Sequence, residues 1–117
     1  QIFKYYKNEF SSLKNKNLKH YTDPISGSNK SNCIMTDVWV SMGQKGNNKK
    51  KYFKNFTVNK NIMGKAEKNV IFMHCLPAKR GQEVTSDVLD GKNSVVLTQA
   101  KNRMYIQQAI LIYVLKK

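Results

Sequence analysis

The run Met73-His74-Cys75-Leu76-Pro77-Ala78 follows the apolar residues Val70-Ile71-Phe72, and places an imidazole and a thiol where a buried strand gives way to a loop. In open α/β sheets, ligands bind just beyond the carboxyl ends of the strands, so chemistry is expected at this strand end. A second strand end matches it, where Cys33-Ile34-Met35 leads into Thr36-Asp37-Val38-Trp39-Val40-Ser41-Met42-Gly43-Gln44. The two polar exits predict one shared crevice. A Cys–His nucleophilic pair within the dipeptide is disfavoured, because neighbouring strand residues point to opposite faces. A buried cysteine is ordinarily an inert small hydrophobe and a strand-end aspartate ordinarily caps a turn, so residue types alone leave both roles open. The bond from Leu76 to Pro77 is a candidate for the cis form, since cis peptides occur almost only before proline.

The elements that must position these residues follow from periodicity. Ile2, Phe3, Tyr6, Phe10 and Leu13 recur at helical spacing over residues 1–13. Residues 18–21 read as a short strand. Thr22-Asp23-Pro24 reads as a helix start, with an aspartate cap and a proline at the first helical position, ahead of a weak helix over 25–32. A strand over 33–39 runs into a loop over 40–48. A short helix over 49–55 precedes a longer one over 57–68, with Val58, Ile62, Met63 and Ala66 on one side. The strand over 70–75, a loop over 78–83 and a short turn or helix from Thr85 to about Gly91 come next. Residues 94–97 read as a strand, and 101–117 as a closing helix so apolar after Gln108 that burial on more than one side is expected, although partner surface for it is scarce within the chain. Strands alternating with helices, with none close enough for a hairpin, predict parallel pairing and the α/β class. Cys33 and Trp39 read as packing residues.

Composition narrows the function classes. The net charge of +14 arises from 21 basic residues, all but Arg80 and Arg103 of them lysine, against 7 acids. A nucleic-acid interface would cluster its charge and use arginine, whereas these lysines are scattered among asparagines. A solvated Lys- and Asn-rich surface is therefore favoured, with no nucleic-acid partner; a basic binding module without catalysis is the alternative. Cys33 and Cys75 fit neither a zinc motif nor a disulfide framework, and suit a reducing compartment. No apolar signal opens the chain, and the apolar region 104–115 is shorter than the roughly 20 residues a bilayer requires. These features predict a cytoplasmic chain without a membrane partner.

Three blocks together resemble the carboxyl-terminal half of the ornithine carbamoyltransferases. They are Thr36 to Gln44 (TDVWVSMGQ), His74 to Ala78 (HCLPA) continued by Arg80-Gly81-Gln82-Glu83-Val84-Thr85, and Gln99 to Met104 (QAKNRM). The resemblance covers the chain from about Asp23, and more weakly from Gln1. It implies a partial Rossmann-like parallel sheet with flanking helices and a long C-terminal helix. Residues 1–117 would be the ornithine-binding domain, incomplete at its N-terminal side, with the carbamoyl-phosphate domain and its S-x-R-T-R motif absent. The implied substrates are L-ornithine and carbamoyl phosphate, which yield L-citrulline and phosphate in arginine biosynthesis. No cofactor and no metal are implied. A homotrimer is expected for the full-length family member. The chain alone is expected to be inactive.

By the same resemblance, Asp37, Ser41 and Met42 bind ornithine. Cys75 lies near its reacting amine, the Cys75-Leu76 backbone receives the carbamoyl amide, and Arg103 donates to the carbamoyl oxygen as it gains charge. Cys75 and Arg103 are thus the catalytic candidates, and Cys75, Leu76 and Arg103 the candidates for binding carbamoyl phosphate. Gly43 would lend freedom to a loop that closes over the substrate and excludes water. His74 reads as a structural group behind the site rather than a base. Several positions depart from the family pattern: Thr98 and Lys101 replace usual acids, Lys45 a frequent glutamate, and Lys79 and Tyr105 frequent histidines. Lys101 would repel Arg103 where an acid would orient it. A transcarbamylase acting on putrescine or an acylated ornithine is the alternative within the class, and a decayed gene remnant would also suit the lost acids.

Overall fold

The computed structural model describes residues 19–40 and 50–116. The helix expected over 1–13, the loop over 41–48 and the candidates Ser41 and Met42 lie outside the described residues. Residues 19–21 are irregular rather than a strand. Asp23 then caps helix α1 (Pro24–Ser28), accepting from the N–H groups of Ile25 and Ser26 while Pro24 removes a donor that would have no partner.

Strands β1 (Cys33–Thr36) and β2 (Ile71–His74) pair in parallel, in the register Cys33 to Ile71 through Thr36 to His74. Between them lie α2 (Lys50–Phe53), a 3-10 turn (Lys54–Phe56) and α3 (Lys60–Met63). The helix expected over 57–68 shrinks to α3 because Val58 is extended. Its N–H donates to Glu83 O at 3.0 Å and its carbonyl accepts from Thr85 N at 3.0 Å, leaving Asn59 to cap α3 through Ile62 N. Helix α4 (Ser86–Leu89) follows, and then α5 (Val96–Leu115).

The strand expected over 94–97 is a single bridge between Ser94 and Phe72. Phe72 N donates to Asn93 O at 2.8 Å and Val95 N to Phe72 O at 3.0 Å, after which the chain turns into α5. The closing helix therefore starts at Val96, not Lys101.

Phe72, Val84, Val58, Ile62, Val88, Leu89 and Val96 form the core, with Ile34 from β1 packed against it. Two expectations fail on burial. Cys33 is exposed rather than packed, because it lies on the sheet face turned away from this core. In α5 only Val96 is buried, and Ile110, Leu111 and Tyr113 are 55%, 60% and 76% exposed, so the apolar helix finds no cover among the described residues. Trp39 is half-buried and stacks on Phe53 with ring centroids 6.0 Å apart. No helix among the described residues is long and apolar enough to cross a membrane.

Candidate active site

Parallel register decides where the site forms. Thr36 sits opposite His74, so the next residues, Asp37 and Cys75, leave the two strands side by side at their carboxyl ends. Cys75 Sγ donates to Asp37 Oδ1 at 2.9 Å, and Val38 N donates to the same oxygen at 2.7 Å. Asp37 itself is exposed.

The two groups bias each other's protonation. The thiol bond, helped by the Val38 N–H, holds the Asp37 carboxyl below the ordinary carboxylate range. The same bond, with partial burial and the carboxylate's charge, raises the Cys75 thiol above its ordinary value, against a smaller opposing pull from Arg103. A thiol held in its protonated form is a poor nucleophile, so the arrangement disfavours covalent chemistry at sulfur.

Helix α5 delivers the third group. Gln99 and Arg103 are four residues apart and share a helix face. Gln99 Oε1 accepts from His74 N at 3.0 Å, and one turn later Arg103 Nη1 donates to Cys75 O at 2.7 Å. Gln99 docks the first turn of α5 on the edge of β2, and that docking aims Arg103 at the loop. Gln99 stands in a motif block with no role attached to it, and its spacing of four from Arg103 is the signal in the sequence that points to it.

Leu76 follows with a positive φ of 56° and a cis bond to Pro77. Its N–H donates to His74 Nδ1 at 2.8 Å. His74 itself is fully buried on the inner face, opposite to Cys75 as alternation requires, with Nε2 3.6 Å from Oε1 of the equally buried Glu83. A separate cavity of about 350 Å³, beside Val70 and Asn93, lies at the amino end of β2 and includes none of Asp37, Cys75 or Arg103. Its Lys60 and Asp87 face each other at 3.6 Å.

The geometry thus brings together Asp37, Cys75, Leu76 and Arg103, with Ser41 and Met42 outside the described residues. A family model described as the Asp/Orn binding domain of aspartate/ornithine carbamoyltransferase matches residues 2–114. The chain belongs to the aspartate/ornithine carbamoyltransferase family. Among the similar members of this family, the ornithine carbamoyltransferase of Brucella abortus (strain 2308) is 48% identical over 99 residues, 81% of this chain and 31% of that protein. The solved ornithine carbamoyltransferase of Pyrococcus furiosus superposes with a TM-score of 0.70 at 48% identity, over 76% of this chain and 29% of its own. The enzyme from Thermus thermophilus gives a TM-score of 0.75 at 31% identity, over 86% of this chain and 33% of its own. The α/β class with a parallel sheet and a long final helix agrees with these members of the carbamoyltransferase family. The chain spans about a third of the length of the curated relatives it matches.

Proposed function

We propose that this chain is the ornithine-binding part of an ornithine carbamoyltransferase, which converts carbamoyl phosphate and L-ornithine to L-citrulline and phosphate in arginine biosynthesis. One observation carries the reading: Asp37, Cys75 and Arg103, from two strand ends and a helix, are joined by hydrogen bonds at one place. Asp37 Oδ2 pairs with the substrate's α-ammonium, and Ser41 and Met42 complete the grip on ornithine. The Cys75 thiol lies beside the reacting amine. The Cys75 and Leu76 carbonyls accept from the carbamoyl amide; Cys75 O retains a lone pair beyond the one Arg103 uses. Arg103 has further N–H groups to offer the carbamoyl oxygen as it becomes negative, and loss of such a donor typically costs about 10²–10³ in rate.

The reading includes a small-molecule partnership, a homotrimer for the assembled enzyme, and a reducing compartment such as the cytoplasm, in keeping with two free thiols. Residues 1–117 form one ornithine-binding domain in it, and turnover requires a separate grip on carbamoyl phosphate. Citrulline made by this chain alone would overturn that last point.

The substrate is tested by titrating the ¹⁵N-labelled chain with amines. L-Ornithine is expected to shift the Val38, Cys75 and Leu76 amides, and Asp37→Asn to abolish the response. Equal responses to putrescine or to an α-acylated ornithine would replace ornithine as the substrate, because neither presents the same ammonium beside a carboxylate. Saturable, steeply salt-dependent binding of DNA or RNA without any amine response would favour a basic module instead.

A further inference from the structure

The inner face of β2 ends in a buried pair that the chemistry above does not use. His74 and Glu83 are both fully buried, and His74 Nε2 and Glu83 Oε2 have no hydrogen-bond partner among the described residues. Native interiors seldom leave two such atoms unsatisfied, so a role beyond filling space is indicated. The imidazole of the pair contacts Leu76, whose φ of 56° is a left-handed conformation that side-chain-bearing residues rarely adopt. The Leu76 N–H is held there by His74 Nδ1 at 2.8 Å. An imidazole that accepts at Nδ1 must carry its proton on Nε2, and Nε2 is the atom that faces the carboxylate at 3.6 Å. Glu83 is fixed in turn, since Oε1 accepts from Lys79 N at 2.6 Å across the turn at Gly81.

We propose that His74 and Glu83 are positioning residues: the buried carboxylate selects the Nε2–H tautomer of His74, and the freed Nδ1 clamps the Leu76 N–H so that the Cys75-Leu76 turn keeps its left-handed shape. Neither side chain reaches the substrate. Both act through the turn whose thiol and carbonyls line the site. The inference rests on reading that turn as part of the ornithine site, but its measurements need no substrate.

Long-range ¹H–¹⁵N NMR of the imidazole in the unaltered chain is expected to show the Nε2–H tautomer; the Nδ1–H tautomer would overturn the proposal. Amide exchange at Leu76 then separates the variants. His74→Asn keeps an acceptor near the Nδ1 position and should preserve protection. His74→Gln, whose acceptor lies further out, should exchange roughly five- to tenfold faster at Leu76, with Phe72 and Val95 unchanged. Glu83→Gln should populate both tautomers and give an intermediate rate. In a Cys33→Ser background, His74→Gln should also move Cys75 alkylation to lower pH, as the thiol loses its set position beside Asp37. Equal Leu76 exchange in all variants would overturn the proposal, and if His74→Gln unfolds, the tautomer and Glu83→Gln still decide. A silent ornithine titration with these results intact removes the function and leaves the positioning pair standing.

Discussion

Ile71 and Phe72 are adjacent, comparably apolar and in the same strand, yet Ile71 is 38% exposed and Phe72 not at all. The whole two-stranded sheet divides in this way. Phe72 and His74 of β2 and Ile34 of β1 face the core, whereas Cys33, Met35 and Ile71 lie on the open side. A strand's alternation sets which residues share a face, but not which face the rest of the chain covers. The same division operates at the site, where His74 is sealed inward as Cys75 turns outward to Asp37. This strand end thus has two sides, one sealed against the core and one open.

The contrast is broken most severely from its closed side. Phe72→Ala should destabilise the chain by about 3–5 kcal/mol, through lost transfer energy and the cavity left behind. Ile71→Ala should cost less than about 1.5 kcal/mol, since much of that side chain is already in water. Urea melts of the two variants compare the faces directly, and equal losses would mean that the outer face is covered in solution. Gly81→Ala should cost about 1–2 kcal/mol, because φ there is +75° and the turn that directs Glu83 inward depends on it.

The open side is sharpened through pH. The folded Cys75 thiol titrates above its ordinary value of 9.0, so its contribution to stability is complete below that pH and is lost as pH rises through the folded value. Asp37→Asn removes the main cause, so the alkylation profile of Cys75 should shift to lower pH and the alkaline loss of stability should shrink. For Asp37 the sign is opposite: its folded value lies below the ordinary 3.8, so its contribution is present above that pH and lost on acidification below it. The smallest effect is expected on α5, where Leu111→Ser should change stability by no more than about 0.5 kcal/mol in the monomeric chain. A larger loss that grows with protein concentration would identify α5 as an association surface.

Much of the arrangement was legible from residue order. The Asp23-Pro24 start, the two strand cores, parallel pairing and the short turn or helix after Thr85 depend on local signals: a cap, an apolar run, or the absence of a hairpin turn. The motif blocks also picked out Asp37, Cys75 and Arg103, which the structure brings into contact. In two places where an expected element changed, a long-range hydrogen bond intervened. Val58 is drawn out of a helical pattern by Glu83 and Thr85, and Ser94 is limited to one bridge because Gln99, not a further strand residue, takes the N–H of His74.

Sequence by itself therefore determined the chemical identity of the groups, the class of fold and the alternation that separates His74 from Cys75. Only the tertiary structure decided that register sets Asp37 beside Cys75, that Gln99 aims Arg103, that Cys33 and α5 lie open, and that a buried imidazole faces a buried carboxylate. Local propensity acts within a few residues, whereas each of these outcomes is a contact between segments distant along the chain. Such contacts form only where the packed core leaves a backbone edge or a polar atom to be met.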